Sequence, residues 1–212
     1  SAASDVYKRQ GLMYVVLGRP LAALTNALNN WLGGMSGASA VILGIVLGLM
    51  MCSDLGGPIN KAAYLFATTN LAVTNVGSLK VMAAVMAAGM VPPLAMALST
   101  TLRPKLYQPA ERENGTAAWL LGASFISEGA IPFAAADPLR VIPSMMVGGA
   151  TTGALSMALG AASKAPHGGI FVFFAIDRVW AFILAIVVGT LVAALLVTAL
   201  KASARRKAAA AA

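Results

Sequence analysis

The residues best able to do chemistry lie in one stretch, Phe125-Ile-Ser-Glu128-Gly-Ala-Ile-Pro132-Phe-Ala-Ala-Ala-Asp137-Pro-Leu-Arg140. Asn114 to Ser127 carries no charge, and neither does Val141 to Ser163. If these apolar runs lie in lipid, Glu128 stands at or near membrane depth. An ionised carboxylate there is costly and marks a functional site by default. Such a group can accept hydrogen bonds from the hydroxyls of a polar solute and take a proton from one of them as a general base. The structural alternative is an ion pair with Arg140 or Lys61. Gly129 and Pro132 break the helix, and broken backbone inside a bilayer is tolerated only where it is packed in protein or lines a wet cavity. The stretch reads as the wall of a polar binding site.

A second stretch shares this grammar: Asp54-Leu-Gly-Gly-Pro58-Ile-Asn60-Lys61-Ala-Ala-Tyr64. Asp54 precedes Pro58 by four residues with glycines between, as Glu128 precedes Pro132 with Gly129 between. Paired segments interrupted by Gly and Pro point to a transporter site built from discontinuous helices. Asn60 falls in the first turn of a half-helix, where its amide can bind a hydroxyl or serve as a cap. Lys61 snorkels or pairs. Asp54 most simply caps the helix that follows or pairs with Lys61. Asp137 and Arg140, three apart, are neighbours on a helix and read first as a structural pair. His167, the one histidine, sits in a third break, Lys164-Ala-Pro-His-Gly-Gly169; Cys52, inside an apolar run, reads as core. No metal-ligand spacing, phosphate-cradling loop or nucleophile triad is present, so neither metal nor cofactor is expected.

The elements that must position these residues are membrane helices. The chain has 212 residues, 59% hydrophobic and 10% charged, with mean hydropathy +0.81; soluble domains carry about 25% charged residues. The net charge of +8 comes from basic residues scattered at the flanks of apolar runs. That distribution fits topology signalling at an anionic membrane surface and not a nucleic-acid footprint. A single cysteine excludes an intrachain disulfide. Ser1 to Gln10 is set apart as a non-native leader, and Gly11 to Gly18, too short to span, as the tail of a helix that begins earlier. Leu21 to Trp31 is expected to be an amphipathic helix on the membrane surface. Ser36–Ser53, Val81–Leu102 (bent at Pro92-Pro93), Val141–Ser163 and Val179–Leu200 are expected to cross. Residues 54–77 and 114–140 are expected to form broken re-entrant hairpins, and Arg103 to Glu113 a polar loop. The basic tail at 201–212, with Lys201, Arg205, Arg206 and Lys207, places the C-terminus in the cytoplasm by the positive-inside rule. The fold class is therefore an all-α, multi-pass membrane protein.

The Asp54–Tyr64 stretch, the longer stretch from Phe125 to Ser144, and Ala165-Pro-His-Gly-Gly169 closely resemble the membrane component (enzyme IIC) of the bacterial fructose-type phosphoenolpyruvate-dependent sugar phosphotransferase system. The resemblance runs from about Gly11 to about Leu200. It implies an inner-membrane transporter, usually a homodimer, that carries a fructose-like sugar inward while the sugar is phosphorylated. The phosphoryl group would arrive from a phosphocysteine on a soluble IIB domain, itself charged by a phosphohistidine on IIA. In related members a Glu in a Gly-Ile-Thr-Glu motif contacts the hydroxyl to be phosphorylated. That role is carried to Glu128, with Phe125 and Ser127 where the motif has Gly and Thr. Asn60 and His167 are implied sugar contacts; Asp54, Lys61, Asp137 and Arg140 complete the candidate set. Cys52 lies outside any IIB-like context and is not the phosphocysteine. Against the family the chain lacks amino-terminal helices and the IIA and IIB domains, so by itself it is expected to be inactive. Two rival readings remain: an ion-coupled secondary sugar transporter without phosphotransfer, and an inert truncated membrane fragment.

Overall fold

A computed structural model describes residues 37–69 and 75–210, together with Leu71 and a few positions between 16 and 27. The expected leader lies outside the described residues, as does most of the expected surface helix. The described chain is almost wholly helical, in the order α1 (Gly37–Ser53), α2 (Pro58–Thr69), α3 (Val76–Leu102), α4 (Pro109–Ala123), α5 (Ile131–Ala136), α6 (Pro138–Leu159) and α7 (Val179–Ala210). Short 3-10 turns cover Pro104–Leu106, Ser127–Ala130 and Gly169–Ala175. Two two-residue strands, β1 (Ala162–Ser163) and β2 (Ile176–Asp177), pair antiparallel and close the loop between α6 and α7.

α3 is the axis of the molecule. Ala83, Ala84, Ala87 and Ala88 alternate with Met82, Met86 and Met90, all buried. A helix that is apolar all round belongs in an interior, and its alanines let neighbours approach while flexible methionines fill the gaps. α1, α4, α6 and α7 all pack on it. α7 divides by face: Ala181, Phe182, Ala185 and Ala194 turn inward, whereas Trp180, Ile183, Leu184, Val187, Leu191 and Leu195 are exposed. A continuous outward apolar stripe of this length suits lipid and not water. α3, α6 and α7 are long and apolar enough to cross a membrane, and α1, with 17 residues, is shorter.

Several boundaries differ from the expected ones, each for a local reason. α3 starts at Val76 and not at Val81, because the Asn75 side chain accepts hydrogen bonds from the N–H groups of Gly77 and Ser78 at 2.9 and 3.3 Å. Lys80 therefore sits inside the helix it was expected to precede. α3 also runs through Pro92-Pro93 without interruption. The expected polar loop shrinks, since Pro109 opens α4 and the Gln108 N–H donates to Glu111 Oε2 at 2.7 Å as half of a capping box. α2 ends at Thr69 and not near residue 77. The last helix continues ten residues past the expected limit of Leu200, carrying the basic tail.

α1 and α6 approach each other closely. Gly44 and Gly48 face Gly153 and Gly149, and a Cβ on any of the four would collide with the opposite backbone. Two small-xxx-small pairs thus meet face to face, the arrangement that lets helices pack in lipid by van der Waals contact. We predict that Gly48→Leu costs about 1–3 kcal/mol through overpacking, read as a lower unfolding midpoint in detergent. An unchanged midpoint would refute the close approach.

Candidate functional site

The two sequence breaks meet. After α1 the chain turns through Leu55 and Gly56, at φ 50° and 108°, and enters α2. The Asp54 carboxylate accepts the N–H groups of Ile59 (Oδ2, 2.7 Å) and Asn60 (Oδ1, 2.9 Å). Asp54 thus satisfies two orphan donors at a helix N-terminus and complements its dipole; it does not pair with Lys61. The Asn60 side chain is buried and donates from Nδ2 to the Met51 carbonyl at 2.7 Å, closing the end of α1. Asn60, Lys61 and Tyr64 then fall on one face of α2 by their spacing of three and four.

The opposing wall is the chain from Phe125 to Glu128. Phe125 has φ 64°, a left-handed conformation uncommon for a bulky residue. Its ring lies against Gly89 of α3, where a Cβ would clash with it. Glu128 is the second residue of the 3-10 turn and presses against the first break: a Cβ at Gly56 would stand 2.6 Å from Glu128 Oε1. Only glycine accommodates both that φ and that neighbour. Lys61 Nζ reaches Glu128 Oε1 at 2.9 Å. The two walls enclose a cavity of about 120 Å³ lined by Asn60, Lys61, Tyr64, Ser127, Glu128 and His167 among others. His167 arrives from the third break and stacks on Phe125 at 4.8 Å between centroids, with Tyr64 edge-on at 6.2 Å.

The side chains of Lys61 and Glu128 are 54% and 43% exposed. Where water reaches it, such a pair contributes about 0–1 kcal/mol, so the carboxylate can exchange Lys61 for another donor at little cost. The cavity is smaller than ligand pockets, which run about 300–1,000 Å³. A ligand of that ordinary size therefore needs the walls to part.

What fixes the Glu128 wall to the axis is a consequence of Pro92-Pro93. Prolines have no N–H, so the carbonyls four residues back, Ala88 and Gly89, lose their helical donors. Ser127 Oγ donates to the Gly89 carbonyl at 2.7 Å, and Cys52 Sγ donates to the Ala88 carbonyl at 3.4 Å. Both orphaned acceptors are supplied from the elements that flank the cavity.

Of the residues singled out from the sequence, Asn60, Lys61, Glu128 and His167 are brought together. Asp54 supports the site from behind. Asp137 and Arg140 do not line this cavity; they pair with each other at 2.8 Å and border a different one. Tyr64, Phe125 and Ser127 line the cavity without having been singled out as contacts. The shared face of α2 was a usable signal for Tyr64, and adjacency to Glu128 was one for Ser127.

Fold and site together define a helical membrane protein with a small polar cavity closed by two interrupted segments. Over 192 residues the chain is 53% identical to the "PTS system fructose-specific EIIB'BC component" of Escherichia coli K12, a match covering 89% of this chain and 34% of that protein. It is 48% identical over 191 residues to the "PTS system fructose-specific EIIC component" of Haloferax volcanii (90% of this chain, 50% of that protein) and 44% identical over 190 residues to the "Fructose permease IIC component" of Bacillus amyloliquefaciens (90% and 61%). The chain belongs to the family of fructose-type IIC membrane components of the phosphotransferase system. It spans about a third of the length of the fused relatives. No protein-family model matches the chain, and no solved structure does.

We predict that Ser127→Ala, which strands the Gly89 carbonyl, costs about 1–3 kcal/mol. In a Pro93→Ala background, where residue 93 regains its N–H, the same change should cost clearly less. Equal losses in the two backgrounds, measured by detergent unfolding, would overturn this account of the anchor.

Proposed function

We propose that the chain is part of the sugar-binding transport domain, over about 11–200, of a permease that moves a fructose-like sugar across the bacterial cytoplasmic membrane while it is phosphorylated. The observation that carries this is the Glu128 carboxylate at a helix break, in a polar cavity that also holds Asn60, Lys61 and His167. The names of the relatives supply the substrate class: they are fructose-specific components, several fused to IIB or to IIA and IIB. In this reading a soluble IIB domain donates the phosphoryl group, IIA recharges IIB, the full-length protein is a homodimer, and the C-terminus faces the cytoplasm.

Residues 54–77 and 114–140 are proposed as re-entrant hairpins whose tips carry the site. The sugar enters as they part, and its hydroxyl displaces the Lys61 ammonium from Glu128. Phosphoryl transfer depends chiefly on positioning and charge stabilisation. The sulfur–phosphorus bond of the IIB phosphocysteine breaks as the new oxygen–phosphorus bond forms. The hydroxyl proton passes to Glu128, and the thiolate leaves with the electron pair of the broken bond. Lys61, released, lies near enough to offset developing negative charge, while His167 and Tyr64 offer ring faces and polar edges to the sugar.

Glu128→Gln preserves size and hydrogen bonding but removes the base. In the full-length protein with its phosphorylated IIB partner, it should lower sugar phosphorylation by about 10²–10⁴-fold while sugar binding persists. Phosphotransfer at the unaltered rate would remove Glu128 from this role.

A further inference from the structure

A second cavity, of about 510 Å³, lies away from Glu128, where the turn after α3, the start of α4, the α5–α6 junction and the end of α7 converge. Its lining contains five cationic side chains, Lys105, Arg112, Arg140, Lys201 and Arg205, against one carboxylate, Asp137. Asp137 is already engaged: it pairs with Arg140 at 2.8 Å and stands 3.6 Å from Lys201. Lys105, Arg112 and Arg205 have no carboxylate partner among the described residues. Arg112 Nε and Arg205 Nη1 each donate to a backbone carbonyl, of Tyr107 and Lys105 respectively, which fixes the stems and leaves most of each guanidinium fork unspent.

Lys201 is the informative member. Its side chain is only 11% exposed, yet both neighbouring carboxylates, Glu111 Oε1 and Asp137 Oδ2, lie at 3.6 Å, beyond hydrogen-bond length. Its ammonium rests over the Tyr107 ring at 4.7 Å. The ammonium is held by charge and a ring face, with no acceptor within hydrogen-bond length among the described residues, which leaves its three donors available to a ligand. Tyr107 adds no negative charge: burial, opposed by its hydrogen bond with Ser99 and reinforced by Glu111 and Asp137, pushes its phenol up to about 12. The cavity is thus strongly and persistently positive, and its volume lies within the range of small-molecule sites.

We propose that this cavity is a binding site for a phosphate monoester or diester group, held by the forks of Arg112 and Arg205 and by Lys105 and Lys201. Planar guanidinium forks match phosphate oxygens two at a time. The phosphate can belong to a soluble sugar phosphate or to an anionic lipid headgroup. The inference stands on this cavity alone and does not depend on phosphotransfer at Glu128.

The test uses the full chain in neutral detergent, titrated calorimetrically with inorganic phosphate and with fructose 1-phosphate. In parallel, the protein is placed in discs of phosphatidylcholine with or without phosphatidylglycerol, and co-purifying lipid is weighed by mass spectrometry. The variant is Lys105→Gln with Arg205→Gln, both exposed and so compatible with folding; Arg112→Lys, which keeps charge but loses the fork, serves if the double variant unfolds. Lys164→Gln, which removes a cation elsewhere, controls for overall charge. Binding of either soluble phosphate, weakened about tenfold or more in the double variant (or in Arg112→Lys) and unchanged in Lys164→Gln, supports a soluble ligand. Retention of phosphatidylglycerol by the parent chain, lost in the same variant, supports the lipid. No binding of any probe, or equal binding by parent and variant, overturns the proposal.

Discussion

Two missing N–H groups organise this structure. Pro92 and Pro93 leave the Ala88 and Gly89 carbonyls of a buried helix without their ordinary donors, and in a dry interior an unmet carbonyl is expensive. The chain answers with Cys52 from α1 and Ser127 from the Glu128 segment. Each hydrogen bond is modest, about 0.5–1.5 kcal/mol net, but leaving either acceptor empty costs more. The need to satisfy them fixes where two irregular stretches of backbone sit. Glu128 follows directly on Ser127, and α1 leads directly into the turn that backs the Glu128 carboxyl. The cavity is placed by a defect in the helix beside it.

Much of the architecture is legible in the residues. Gly56-Gly57-Pro58 and Glu128-Gly129 announce breaks, and apolar runs locate α3, α6 and the start of α7 to within about five residues. Boundaries shift where one polar residue misleads: Lys80 reads as a limit and the charges around Glu111 as a loop, although Asn75 and the Gln108–Glu111 cap extend the helices across both. The third break is a strand pair and a 3-10 turn, because the Lys164 N–H donates to the Ala175 carbonyl, eleven residues away in sequence. The Lys61–Glu128 contact has the same character. The pairing of one half-helix residue with an acid on another element is set by packing on α3, which no local pattern encodes. For the same reason Asp137 and Arg140, close to Glu128 in sequence, are separated from it in space by α5.

The two cavities differ in how their charge is balanced. Around Glu128 one acid meets one base, both half exposed, so the charge is neutralised weakly and can be re-paired by a hydroxyl. At the α4–α7 end the acids are already committed and positive charge is left over. A balanced, exchangeable pair suits a neutral polyhydroxy solute, and an uncompensated cluster suits an anion. Membership of the fructose-type IIC family fits the first arrangement; the second rests on the side chains themselves.

The length of α7 has a geometric corollary. Its 32 residues rise about 48 Å at 1.5 Å each, whereas the hydrocarbon slab is about 30 Å thick. Roughly the last third of the rod overhangs the apolar layer, even with an ordinary tilt. Lys201 and Arg205 ride on that overhang and bring the floor of the basic cavity out to the depth where phosphates, whether tethered to lipid or dissolved, are plentiful.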